Sequence, residues 1–282
     1  MRLARALGLP TPREADAPDF AHARWAAEAF GYPLALKRDL TCGGFGVAIA
    51  RDAIQLKRGF TRLQRQGRLR RLAAGLPGYR FSGSAPLTAQ EFIPGALAHR
   101  VAACQEGREL EGMDFLALKR EPFDTGPSRY IRGVSQPEMA EASRRVIAAL
   151  KLSGLASFDF ILNRRGEAWL IEINPRPSAS AHLGALFGHD LYAALLRRAE
   201  DPRERPKLRA QPPETIALFP GAIDAEPRGA DFCAGSPFFR DVPWNDSEAL
   251  AAYSQWLDQR HPDVAPVLGP LRSPRGAVLA TE

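Results

Sequence analysis

At 282 residues the chain has room for one large domain or two modest ones. A hydrophobic share of 45% and a charged share of 25% match a folded globular protein and exclude a disordered or collagen-like chain. No apolar run approaches the ~20 residues that span a bilayer, no secretory leader pattern opens the sequence, and Cys42, Cys104 and Cys233 form neither a disulfide framework nor a zinc pattern. A cytoplasmic setting without membrane contact is expected.

In chain order, residues 1–9 read as a helix stopped by Gly8 and the pair Pro10/Pro12. Residues 20–30 suit a second helix, with Ala23, Ala26, Ala27 and Phe30 on one face, broken by Gly31-Tyr32-Pro33. Leu34-Ala35-Leu36-Lys37 begins a strand, Thr41-Cys42-Gly43-Gly44-Phe45-Gly46 is a glycine-rich loop, and 47–50 is a returning strand. A helix follows over 52–66. The net charge of +6 is partly concentrated in 57–71, which has one aromatic (Phe60) and no recognised nucleic-acid module around it. That run reads as a solvated helical face with some pull on anionic substrates, and nucleic acid is not expected as a partner.

Residues 87–93 are strand-like and stop at Pro94-Gly95, with further strands at 99–105 and 112–118. Residues 136–152 form a helix with Met139, Ala142, Val146, Ala149 and Leu150 on its inner face. Two apolar runs, 156–162 and 168–173, are joined by the turn-forming Asn163-Arg164-Arg165-Gly166. A helix at 189–199, a proline- and charge-rich boundary from about 202, a short strand at 215–219 and a helix at 247–259 complete the chain. Strands and helices alternate without a regular βαβ rhythm, so the expected class is α+β.

The hairpin carries acidic chemistry that apolar strands otherwise avoid. Asp159 sits among Phe158, Phe160, Ile161 and Leu162, and Glu172 and Asn174 flank Ile173. A buried carboxylate needs a cation or a hydrogen-bond partner, residues 172 and 174 share a strand face, and oxygen donors suit a hard divalent ion such as Mg2+. Lys37 and the Gly43, Gly44, Gly46 turn form a second group, in which glycine lets backbone amides approach an anion and the ammonium supplies charge to phosphates. No Gly-Lys-Ser/Thr follows, so this is not a Walker loop.

An Asp followed thirteen residues later by Glu-x-Asn resembles the metal-binding hairpin of the ATP-grasp superfamily, and two further segments occur in the order that superfamily shows. The match looks like the carboxylate-amine ligase and carboligase-like members, related to the ATP-binding domains of biotin carboxylase and carbamoyl phosphate synthetase. The resemblance implies an ATP-grasp fold of two α+β lobes: a lid subdomain at 1–88, a core subdomain at 89–205, and a loop-rich extension at 206–282. It implies Asp159, Glu172 and Asn174 as ligands of Mg2+, or Mn2+ in its place. Lys37 and the Gly43, Gly44, Gly46 loop fall on ATP phosphates. Gln90, Glu91, Phe92 and Ile93 fall on adenine, with the Glu91 carboxylate accepting from the amino group. The region of the ribose-binding acid holds Ala98 and His99 instead. Arg176, in Glu-Ile-Asn-Pro-Arg, is placed beside the reacting groups. Ser180 stands where biotin carboxylases carry a glutamate base. His182 and Arg132 read equally as substrate contacts or as packed and surface residues.

The implied reaction is ATP-dependent activation of a carboxylate as an acyl phosphate for attack by an amine, with small-molecule acid and amine substrates. Ligases that attach glutamate to cofactor precursors illustrate the type. A bicarbonate-dependent carboxylase or carbamoyl-phosphate-type enzyme and a non-catalytic ATP-binding subunit stay open. Relatives also carry a preceding Rossmann-like lobe and a first phosphate-binding lysine. Here Arg2 or Arg5 would have to replace that lysine, and the alternatives are truncation, a minimal member, or a homodimer or partner subunit that supplies the lobe.

Overall fold

The computed structural model describes residues 1–39, 41, 44–73, 87–120, 125–200, 215–225, 241–243 and 245–263, without the side chains of 68–73 and 197–200. Gly43, Cys42, Cys233 and the proline-rich boundary lie outside the described residues. Two compact units result: Met1–Ala96 with Phe123–Pro127 and Phe160–Glu172, and Leu97–Pro122 with Ser128–Asp159 and Ile173–Glu282.

The first unit contains helix α1 (Arg2–Ala6), strand β1 (Glu14–Ala17), helix α2 (Phe20–Phe30), strands β2 (Leu34–Arg38) and β3 (Val47–Ala50), helix α3 (Ala53–Ala73) and strand β4 (Leu87–Glu91). Its sheet has the order β1-β4-β2-β3 and is antiparallel throughout. Asp19 starts α2 by accepting the amide of His22 at 3.0 Å, and Gly31, at φ 83°, ends it. Alternation divides the sheet into two faces. Leu34 and Leu36 of β2, Ala48 and Ala50 of β3, and Leu87 and Ala89 of β4 pack against Ala23, Ala26 and Ala27 of α2 and Leu56, Phe60 and Leu63 of α3. Burying each large apolar side chain here is worth roughly 1.5–3 kcal/mol, so this layer is what holds the unit together. The helix expected at 52–66 continues to Ala73, passing through Gly67, where an added Cβ would meet the Arg38 guanidinium.

The second sheet has the order β10-β7-β6-β5-β8-β9. Its strands are β5 (Ala96–Gln105), β6 (Arg108–Arg120), β7 (Ser128–Val134), β8 (Gly154–Leu162), β9 (Ala168–Asn174) and β10 (Thr215–Ala217). Helix α4 (Pro137–Leu150), a 3-10 segment (Ala181–Phe187) and helices α5 (Leu191–Glu200), α6 (Gly221–Ala225) and α7 (Ser247–Arg260) complete the described elements. Val101, Ala103, Met113, Phe115 and Ile131 pack against Ala181, Leu183, Phe187, Leu191 and Ala194. The buried stripe of α4 is Met139, Ala142, Ser143, Val146 and Ile147, so Ala149 and Leu150 are exposed, contrary to the expected inner face. The stripe follows the i, i+3, i+4, i+7 spacing strictly, and two more residues carry the chain around to the solvent side. Strand β7 and the short strand β1 were not anticipated from sequence.

The hairpin turn forms as its residues dictate. Asn163 Oδ1 accepts the amides of Arg165 (2.9 Å) and Glu167 (3.0 Å), and Gly166 sits at φ 81°. In the C-terminal region, Ala217, Ala222, Ile223, Val242 and Leu257 form a cluster on which Tyr130 of β7 also packs, so the described part of 206–282 extends a core and an edge of the sheet.

Candidate functional site

Because Leu34 and Leu36 face the helices, Ala35 and Lys37 point to the other face of the first sheet. Cross-strand partners share a face, and Gln90 lies opposite Ala35, which puts buried Gln90 on the same side as Lys37. Lys37 Nζ donates to the carbonyl oxygen of Ile171 at 3.4 Å. Ile171 immediately precedes Glu172, so the fold brings the ammonium of β2 to the backbone of β9 beside one expected metal ligand. Leu170 N donates to Pro10 O at 2.9 Å and anchors the same strand again.

Asp159 lies half-buried on β8, while exposed Glu172 and half-buried Asn174 lie on β9, and these strands are neighbours in the sheet. The donor set, two carboxylates and a carboxamide, is all oxygen and fits a hard cation. No cluster of three or more His, Cys, Asp or Glu able to hold a metal occurs among the described residues, which is consistent with a set of only two acids.

The glycine turn is held closely. Arg38 N donates to Gly46 O (2.8 Å) and Val47 N to Gly44 O (3.0 Å). Gly44 has φ 75°, and a Cβ there would collide with the Thr125 carbonyl, so a side chain is excluded on two grounds. Phe45 between them is exposed.

Glu91 departs from its expected role. It stands opposite Leu34, on the helix-bearing face, and Arg13 holds both its oxygens: Nε to Oε2 at 3.0 Å and Nη2 to Oε1 at 3.0 Å. The Arg13 backbone amide adds a bond to Oε2 at 3.1 Å, and its guanidinium lies 4.9 Å from the Phe30 ring centroid. These bonds hold the Glu91 carboxyl below the ordinary carboxylate range. The carboxylate is thus committed to Arg13, which leaves Gln90 and the backbone of Phe92 and Ile93 as the adenine candidates. After them, Gly95 allows close approach of the Leu162 carbonyl, which a Cβ would meet.

In the second unit Arg176 follows Asn174 in a tight turn, with Arg176 N donating to Asn174 O at 2.8 Å. Ser157 Oγ of β8 donates to Arg176 O at 3.1 Å, and the Arg176 side chain is exposed. His182 is not poised for substrate: its Nε2 lies 2.5 Å from Asp241 Oδ1, whose other oxygen accepts Phe219 N at 2.8 Å. The hydrogen bond to Asp241 raises the His182 pKa. Arg132, half-buried on β7, pairs in register with Leu116 and Thr215.

Two groupings escaped sequence reasoning. Arg100 is buried between Glu109 (Nη2 to Oε1, 2.8 Å) and Asp114 (Nη1 to Oδ1, 2.7 Å). Desolvation opposes its charge, but both acids outweigh it, and its pKa is raised. His99 Nε2 lies 3.0 Å from Ser180 Oγ, which is 3.0 Å from Ser178 Oγ. The residues stand 81 apart in sequence, and no local spacing links them.

Residues 2–180 match the family described as the ATP-grasp domain, and the chain belongs to that family. It is 26% identical over 172 residues to the N-terminal section of the carbamoyl phosphate synthase large chain of Methanopyrus kandleri, covering 58% of this chain and 28% of that protein. It is 25% identical over 228 residues to the large chain of Hyperthermus butylicus, covering 77% and 20% respectively. The chain therefore spans less than a third of these relatives. The biotin carboxylase of Campylobacter jejuni shares the fold at TM-score 0.58, 15% identity and coverage of 73% and 47%. The biotin carboxylase domain of Hydrogenobacter thermophilus 2-oxoglutarate carboxylase, solved with MgADP and bicarbonate, does so at TM-score 0.54, 20% identity and coverage of 75% and 45%. Among the described residues no helix is long and apolar enough to cross a membrane.

Proposed function

We propose that the chain is an ATP-dependent ligase that activates a carboxylate as an acyl phosphate for attack by an amine, converting ATP to ADP and phosphate. The observation that carries the reading is Lys37 Nζ at 3.4 Å from the Ile171 carbonyl oxygen, which joins the phosphate-binding candidate to the strand bearing Glu172. Asp159, Glu172 and Asn174 would hold Mg2+, whose charge when bound offsets that of the phosphates. Lys37 and the backbone of the Gly44–Gly46 turn, with Gly43 before it, orient the triphosphate. Gln90 and the Phe92–Ile93 backbone receive the adenine edge, while Glu91 supports that segment through Arg13. Arg176, exposed at the exit of β9, is available to an anionic group of the acid or the transferring phosphoryl. Phosphoryl transfer asks chiefly for such positioning and charge neutralisation. In this reading 1–88 acts as the lid, 89–205 as the core and 206–282 as a packing extension.

A second reading, a carbamoyl-phosphate-type enzyme, is favoured by the two curated relatives, and ADP formation that requires bicarbonate would select it. Glu172→Gln removes one of two carboxylates from an exposed position, so the fold should survive while phosphate release from MgATP falls by roughly a hundredfold or more. Turnover like the wild type, assayed against a panel of carboxylic acids and amines, would overturn the assignment. MgATP binding without any turnover in the wild type would make the chain a nucleotide-binding subunit instead.

A further inference from the structure

The turn that follows β9 carries a hydroxyl chain with a closed end. Ser178 is half-buried, and its Oγ lies 3.0 Å from Ser180 Oγ. Ser180 is buried, and its Oγ lies 3.0 Å from Nε2 of His99 on β5. His99 is itself buried and stacked on Phe115 at 5.1 Å and 28°, and Phe115 meets Phe187 edge-on at 5.4 Å. An imidazole in this aromatic layer costs desolvation that a purely apolar side chain would avoid.

Each hydroxyl has one proton to donate, so the group at the closed end sets the direction of the whole chain. If Nε2 accepts from Ser180, then Ser180 must accept from Ser178, and Ser178 presents lone pairs outward. If Nε2–H donates to Ser180, then Ser180 donates to Ser178, and the Ser178 proton points outward. The ring's hydrogen bond among the described residues is the one to Ser180. A buried N–H left without an acceptor is rarer and costlier than a nitrogen lone pair left without a donor, so Nδ1 keeps the lone pair and Nε2 the proton.

We propose that His99 is a positioning residue that acts through Ser180 to fix Ser178 as an outward hydrogen-bond donor, two residues from Arg176, so that this turn recognises an oxyanion, a carboxylate or phosphate oxygen, rather than an amine. Burial lowers the His99 pKa to about 4, so the ring stays neutral near pH 7 and is too weak a base to take the Ser180 proton. That separates positioning from general-base catalysis. The inference rests on the ligase reading and deepens it by naming the class of group bound at this turn.

The test uses the full chain without nucleotide, so its failure is separate from loss of MgATP turnover in Glu172→Gln. Nitrogen-15 NMR of the histidine rings, with the His99 signals assigned by their absence in His99→Gln, should show a neutral Nε2–H tautomer that does not titrate between about pH 6 and pH 8. Titration with inorganic phosphate and with acetate should show binding of at least one, weakened roughly tenfold in Ser178→Ala and roughly threefold in Ser180→Ala, and restored in Ser180→Thr. Preference between the two probes tells phosphoryl from carboxylate, and either supports the proposal. An Nδ1–H tautomer, unchanged affinity in Ser180→Ala, or no binding of either anion would overturn it.

Discussion

Each unit contains an arginine clasped by carboxylates from distant parts of the chain, and the two clasps differ chiefly in water. Arg13 and Glu91 keep 54% and 26% of their side-chain surface exposed. Arg100, Glu109 and Asp114 keep 6%, 10% and 6%. The same bidentate chemistry therefore does different jobs. The exposed pair is screened by solvent and salt, and it acts as a local clip between the start of β1, the end of α2 and the end of β4. The buried triad has replaced hydration with direct bonds, so each member depends on the others. Asp114 also accepts the Gln136 amide at 3.0 Å, which ties the triad to the start of α4.

The largest effect should come from Arg100→Ala. It leaves two carboxylates buried without their cation and is expected to remove about 3–5 kcal/mol of stability, measured by chemical denaturation. A loss near that of an exposed ion pair would break the comparison.

Histidines extend the contrast to pH. His99 has a folded pKa of about 4 against an ordinary value of 6.5. The unfolded chain thus binds its proton first, and stability falls as pH drops through that interval, by up to about 3 kcal/mol. His182 and His189 behave oppositely, since hydrogen bonds to Asp241 and Glu111 raise their folded pKa values. Their contribution is complete below 6.5 and is lost as pH rises through the raised values. Thermal melts of His99→Phe should therefore lose the acid-side decline and keep the alkaline-side one. A wild-type acid-side decline in that variant would contradict the burial argument.

Arg13→Ala should be mildest, with a melting temperature close to wild type. Because it frees the Glu91 carboxylate, ATP titration of the variant tests whether that acid can serve adenine. Weaker binding would indicate that the clip supports the strand end, whereas tighter binding would mean that Arg13 competes with the nucleotide.

Much of the architecture was legible because its signals are local. Helix α2 is bounded by Asp19 and Gly31, and the hairpin by Asn163 and Gly166, residues whose backbone preferences act within four positions. Strand β1, Glu14–Ala17, has no β-forming side chains and exists because β4 pairs with it, with Glu14 opposite Gln90 and Ala17 opposite Leu87. Strand β7 is short and abuts α4, so its pattern merged with the helix start.

The amino-acid order alone determined the hairpin, the positions of Asp159, Glu172 and Asn174 on its two strands, and the glycine turn after Lys37, because period, turn chemistry and backbone freedom are properties of neighbours. Tertiary structure alone decided that Glu91 belongs to Arg13 and that His99 reaches Ser180, across 78 and 81 residues. Such pairings depend on which strand lies beside which and on which face each side chain takes. No short-range pattern encodes either of these, whereas packing of the whole sheet does.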